Sequence, residues 1–159
     1  MAVATTNTDE YCNRYVEGWD DHDPEAVMAA FAPGGTVTAP PFDEPRTGTE
    51  IGKWVVETVR GFPDVHFGDH DLLSTDVEGV FVLEWTLHGT HTGPFNGLPS
   101  TGNTVELEGV DVFTVSEDGI ESLRVYFDQS SMAEQLGLTF PAIVGQLPTL
   151  ARGAIRNIL

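Results

Sequence analysis

Apolar residues first fall at helical spacing. Tyr11, Tyr15 and Trp19 recur every fourth position, with Cys12 and Val16 on the same face, which predicts an amphipathic helix opened by Thr8-Asp9-Glu10 and weakened at its end by Gly18. Asp23-Pro24-Glu25 supplies an N-cap, a first-turn proline and an acidic first turn, so a second short helix carries Ala26, Val27, Ala30 and Phe31, with Pro33-Gly34-Gly35 as its stop. A short strand over Thr36–Ala39 leads into Pro40-Pro41. A third helix follows Thr47-Gly48, with Ile51, Trp54, Val55, Thr58, Val59 and Phe62 at helical spacing, and Gly61 and Pro63 end it.

From Asp64 the period changes to two. Four strands are predicted, at about Val65–Ser74, Gly79–His91, Thr104–Val115 and Ile120–Asp128. Tight turns at residues 76–79 and 117–119 join the outer pairs, and the glycine- and proline-rich loop from Thr92 to Asn103 joins the middle pair. A helix begins near Met132–Leu136, and residues 139–159 form an apolar extension with a helical pattern of its own. Helices followed by a strand meander predict one α+β domain, its core over about residues 8–138. A meander of such long strands must curl, and helices laid on its concave side leave a pocket.

On the last strand Arg124, Tyr126 and Asp128 share one face and Leu123, Val125 and Phe127 the other. The apolar face is expected on the convex side, where it would form a homodimer unless the extension after Pro141 covers it. The polar face is then expected to look toward the pocket. Asp128 has two open roles: an acid/base in the pocket, or the N-cap of a helix near Gln129. On the preceding strand Asp111 shares a face with Leu107, Gly109 and Phe113. A carboxylate among such neighbours is pocket-lining or an expensive burial, and desolvation would raise its pKa. Trp19, His88 and His91 are pocket candidates; Trp85 suits pocket, core or dimer interface.

Metal chemistry fails on spacing. His66 and His70 would lie about 13 Å apart along one strand face, too far to share an ion, and His88 and His91 point to opposite sides. No phosphate-binding glycine loop, Rossmann fingerprint or nucleophile elbow occurs, so neither metal nor cofactor is expected. The balance of 25 acidic to 7 basic residues, net −18 with Lys53 the sole lysine, disfavours nucleic acid and anionic membranes as partners. It also resembles adaptation to high salt, where screening removes self-repulsion. Cys12 is alone and expected as a small core residue. Met1–Thr8 has no charged-then-apolar signal pattern, and no apolar run is long enough to span a bilayer, so a cytoplasmic location is expected.

Gly89-Thr90-His91-Thr92-Gly93-Pro94-Phe95-Asn96-Gly97-Leu98-Pro99, then Thr101-Gly102, resembles a stretch of the SnoaL-like polyketide and ester cyclases. Gly109–Phe113, a strand closing in Asp128, and Gln135-Leu136-Gly137 follow at matching spacing. The resemblance spans roughly Tyr15 to Leu138 and implies the NTF2-like fold: a curved antiparallel sheet with N-terminal helices packed on it, enclosing a pocket. It also implies cofactor-free acid/base chemistry on a small hydrophobic carbonyl compound, with Asp128 as acid/base. Leu123 and Arg124 stand where that family often has His-Trp. Similarity to ketosteroid isomerases places Tyr15 and Asp111 at their oxyanion donors, but puts Ala39, which cannot take a proton, at their general base. Arg124-Val125-Tyr126-Phe127-Asp128 is also similar to limonene-epoxide hydrolases, whose second Arg-x-Asp pair is missing around Glu84–Leu87. A non-catalytic ligand-binding or dimeric accessory protein on the same scaffold is the alternative function.

Overall fold

The structure is a computed structural model that describes residues 8–139 and 142–158, with the side chains of residues 157 and 158 left out. The stretch tested for a signal pattern, up to residue 7, lies outside the described residues, as do residues 140, 141 and 159. In chain order the elements are α1 (Asp9–Asp20), α2 (Pro24–Ala29), β1 (Phe31–Thr38), β2 (Arg46–Thr47), α3 (Thr49–Gly61), β3 (His66–Ser74), β4 (Val80–Thr90), β5 (Thr104–Ser116), β6 (Gly119–Phe127), α4 (Gln129–Gln135) and α5 (Ile143–Ile158). Six strands form one curved sheet in the order β2-β1-β6-β5-β4-β3. Only the β1–β6 pair is parallel.

The second helix starts as its sequence demands. Asp23 accepts hydrogen bonds from the backbone N–H groups of Glu25 (3.0 Å) and Ala26 (3.1 Å), and Pro24 occupies the first turn. Its end differs from expectation. Pro33-Gly34-Gly35 does not merely stop a helix; it lies inside β1, where the pairing with β6 slips between Phe31 and Thr36. Glycine makes this possible: Gly34 takes a positive φ of 76°, and a Cβ at Gly35 would sit 2.3 Å from the Ile120 carbonyl oxygen. The two-residue β2, too short to carry a period, was not foreseen; Thr47 Oγ1 ties it to the Gly35 carbonyl at 2.8 Å.

The central assignment of faces is reversed from expectation. Leu123, Val125 and Phe127 face the concave side, where Val125 and Phe127 line the cavity. Arg124 and Tyr126 face outward, Tyr126 being 51% exposed. The physical reason is that the cavity is itself apolar, so the apolar side of β6 lines it and the polar side takes the solvent. The apolar convex patch on which a homodimer was expected is therefore absent from β6.

Candidate active site

The cavity between the helices and the concave sheet measures about 450 Å³. Its best-buried polar group is Asp111, 1% exposed, on the inward face of β5 between Leu107 and Phe113. One carboxylate oxygen accepts the indole N–H of Trp85 at 2.9 Å. Burial pushes this carboxyl up to about 7, while the Trp85 bond restrains the rise. Trp85 can lie there because β5 has Gly109 directly across from it. A Cβ at that position would meet the indole at 2.2 Å, so the absent side chain is what seats the indole. Gly109→Ala should therefore displace Trp85 and weaken its bond to Asp111. Carbon-13 titration of the Asp111 carboxyl should then show a higher midpoint than in the parent, and an unchanged midpoint would refute this seating role.

Tyr15, on α1, lines the same cavity and is held by three edge-to-face contacts, to Phe113 (5.4 Å), Phe31 (6.2 Å) and Trp19 (6.4 Å). Burial, and then the nearby charge of Asp111, push its phenol well above its ordinary value, opposed in part by the neighbouring Trp19 indole. It is thus a neutral O–H donor at any physiological pH. Trp19 follows one helical turn later, 5% exposed, its Nε1 buried without a well-formed hydrogen bond among the described residues. These four predicted residues, Tyr15, Trp19, Trp85 and Asp111, are brought together at the buried end of the cavity.

The other predicted residues are not. Asp128 is exposed and caps α4, accepting from the backbone N–H groups of Ser130 (2.8 Å) and Ser131 (3.2 Å). Arg124 and Tyr126 point away from the cavity with it. His88 lies on the outer face of β4, stacked on His66 at 5.3 Å and 3.5 Å from Glu106. His91 is fully buried but stands behind the cavity wall, stacked on Phe62 at 5.1 Å. The Thr101 backbone N–H donates to its Nδ1 at 3.3 Å, Gly102 N–H donates to its carbonyl, and its own N–H donates to Asn103. It pins the glycine-rich loop, and desolvation lowers its pKa, so it stays neutral.

Sequence reasoning missed the aromatic wall. Trp54 packs edge-on against Trp19 (4.8 Å) and Phe42 (5.6 Å), and all three line the cavity with Phe67. Helical spacing marked Trp54, but spacing cannot tell a core face from a cavity face. Arg46 was missed too; it is the sole cation among the lining residues, stacked 3.8 Å over Phe42 and loosely paired with Glu57 at 3.9 Å. Among the described residues no group of three or more His, Cys, Asp or Glu could hold a metal, and no helix is long and apolar enough to cross a membrane.

With this geometry in hand, comparison with known proteins settles the family. The family model of SnoaL-like polyketide cyclases matches residues 10–136. The chain belongs to that family. No curated protein matches the sequence. Among solved structures, a candidate polyketide cyclase from a Silicibacter species superposes with a TM-score of 0.73 at 15% identity, covering 84% of this chain and 98% of its own. TsrD from Streptomyces laurentii gives 0.72 at 16%, covering 87% and 100%. A protein of ketosteroid isomerase-like fold from Catenulispora acidiphila, in complex with trimethylamine, gives 0.67 at 23%, covering 85% and 96%. At these identities the superpositions show a shared NTF2-like fold. The SnoaL-like family of this chain supports a cyclase-type function in general terms.

Proposed function

We propose that this SnoaL-like protein is a cofactor-free acid/base enzyme acting on a small hydrophobic carbonyl compound, with Asp111 as the proton-transfer group. The observation that carries the reading is Asp111 itself: a buried carboxyl at the end of an aromatic cavity, poised near neutrality, with one oxygen fixed by Trp85. Ionised Asp111 takes a proton from the carbon next to a carbonyl, and the electron pair of that C–H bond moves onto the carbonyl oxygen. The Tyr15 hydroxyl donates to that oxygen as it becomes an enolate. The enolate carbon then attacks a second carbonyl of the same molecule, forming the ring bond, and Asp111 returns its proton to the new alkoxide. Every proton and electron pair is accounted for within substrate and side chain.

The trimethylamine held by the Catenulispora protein motivates a rival reading, a binder of cationic amines, which aromatic walls and a carboxylate would suit. A cation beside Asp111 would hold its carboxyl ionised, whereas burial here pushes it up to about 7, which suits proton exchange with a neutral carbonyl group. The test is hydrogen–deuterium exchange at the α-carbon of cyclic hydrophobic ketones such as 2-tetralone, followed by proton NMR in D₂O. Catalysed exchange with a pH dependence centred near 7 is expected. Exchange no faster than in buffer across a panel of such ketones would reject the reading.

Asp128 supplies a contrast. Asn caps a helix about as well as Asp, so Asp128→Asn should leave both exchange and stability near those of the parent. Asp128→Ala should lose about 1 kcal/mol of stability through the cap while keeping the exchange rate. Loss of exchange in Asp128→Asn would return the acid/base role to the strand end. A homodimer, if the protein forms one, would use other apolar surface, such as Tyr126 or Val144, Leu147 and Ile155 on α5; light scattering in molar salt checks this.

A further inference from the structure

In a chain of net charge −18, Arg46 is the one basic residue on the cavity wall, which also carries the carboxyls of Asp43, Glu57 and Asp111. Its surroundings fix where it stands. Its backbone lies on β2 opposite Val37 of β1, which is fully buried. Its guanidinium lies over the Phe42 ring at 3.8 Å, and Phe42 packs edge-on against Trp54 at 5.6 Å. Stacking uses the face of a guanidinium and leaves its N–H edges for acceptors in its plane. Glu57 is 3.9 Å away, well beyond the about 2.8 Å of a charge-assisted hydrogen bond; Lys53, by contrast, meets Glu50 at 2.6 Å. The Arg46 side chain is 31% exposed and lines the cavity, so a ligand can reach it.

We propose that Arg46 is a specificity-determining residue, and that the substrate is a hydrophobic keto acid whose carboxylate meets the Arg46 guanidinium while its enolisable carbon reaches Asp111. This rests on the acid/base reading above and narrows its substrate class. A wholly apolar ligand filling the cavity would strip water from the guanidinium and leave it only the loose Glu57 contact in return. A carboxylate supplies that return, because its two oxygens match the fork of parallel N–H groups. A phosphate dianion would bring twice the charge toward Asp43 and Glu57, which line the same wall. One negative charge, planar and bidentate, is the better match. The two wall carboxylates oppose even that charge at low salt. Salt screens such separated charges more than a pair in contact, the Debye length being about 3 Å at 1 M.

The experiment uses the full chain and a series of 2-naphthyl ketones that end in a carboxylate, with two to six methylene groups between the ketone and the acid. Each acid is paired with its methyl ester. Calorimetric titrations in 1 M potassium chloride at pH 6 keep the acids ionised while Asp111 is mostly protonated. At least one acid should bind about tenfold or more tightly than its ester, the scale of hydrogen bonds to a charged group. Arg46→Gln should weaken that acid about tenfold and leave its ester nearly unmoved, with an unchanged circular dichroism spectrum. Arg46→Lys keeps the charge without the fork and should restore part of the preference. A parent that prefers no acid to its ester, or binds none of them, overturns the proposal. So does a preference that survives in Arg46→Gln. A loss shared equally by acid and ester would make Arg46 a packing residue on Phe42 and overturn it too. Exchange of the ketone α-protons, followed on the same compounds, separates the two readings. If Arg46 sets the acid preference but no ketone exchanges faster than in buffer, the carboxylate site stands and the acid/base reading fails. If 2-tetralone exchanges but no acid is preferred, the acid/base reading stands and the role of Arg46 is rejected.

Discussion

Asp111→Asn is expected to lower turnover by about 10² to 10⁴, the range general acid/base groups contribute, while making the protein more stable above neutral pH. Asn keeps the shape of the side chain, and its carbonyl oxygen can still accept the Trp85 indole N–H seen at 2.9 Å. What it lacks is the proton. The stability effect follows from linkage. In the unfolded chain the carboxyl ionises near its ordinary value of 3.8, and in the folded chain at about 7. Between those values the folded state holds more protons, so stability falls as pH rises from about 4 to about 7 and is flat above. The gap corresponds to about 4 kcal/mol at pH 8. Thermal melts at pH 5 and pH 8 should therefore show a parent that loses stability on going to pH 8, and an Asn variant that loses much less from this source. A variant no more stable than its parent at pH 8 would show that burial does not raise the Asp111 pKa. A variant that is stabilised but fully active would remove Asp111 from the chemistry and leave it a strained packing residue.

That trade of stability for a poised carboxyl was partly legible in the sequence. The period-two alternation through Leu107, Gly109, Asp111 and Phe113 placed Asp111 on an inward face, and helical spacing placed Tyr15 and Trp19 on one side of α1. Both inferences survive because a repeated apolar neighbour fixes which way a strand or helix faces. Alternation on β6 was equally clear, yet it was oriented the wrong way round. Two faces of a strand can be told apart by pattern, but the pattern does not say which faces the cavity when the cavity is as apolar as a core. Asp128 illustrates a second limit. Strand-end aspartates cap helices by purely local geometry, and the two backbone bonds from Ser130 and Ser131 use that geometry. His91 shows a third. A histidine in a family-specific loop suggests chemistry, whereas here it holds the loop to itself through Thr101, Gly102 and Asn103. The close approach of Trp85 to Gly109 could have been suspected from a glycine in mid-strand, but only the cross-strand register pairs the two.

Raising potassium chloride from 0.01 to 2 M is expected to raise the melting temperature by about 10 °C, which for a chain of this length is several kcal/mol. The chain carries 25 acidic residues against 7 basic ones. The ion pairs seen join partly exposed side chains: Arg14–Glu10, Lys53–Glu50, a loose Arg46–Glu57 and His88–Glu106. Such exposed pairs contribute little, and with 25 acidic residues against 7 basic ones most carboxylates have no basic partner. The outer face of the sheet shows the consequence. Asp71 on β3 stands directly across from Glu84 on β4, with Asp69 and Glu108 exposed on the same strands and their neighbour β5. Like charges directly opposite on a sheet destabilise it, and the Debye length grows from about 3 Å at 1 M to about 30 Å at 0.01 M, so at low salt the repulsion spreads across the whole face. Glu84→Lys separates this effect from a general salting-out of apolar surface. Placed opposite Asp71, lysine should stabilise the protein at 0.01 M salt and do almost nothing at 2 M, so the variant's melting temperature rises less steeply with salt. A parent whose melting temperature is flat across the range would show that the acid excess does not limit stability. A variant that follows the parent at every concentration would place the repulsion elsewhere than between β3 and β4.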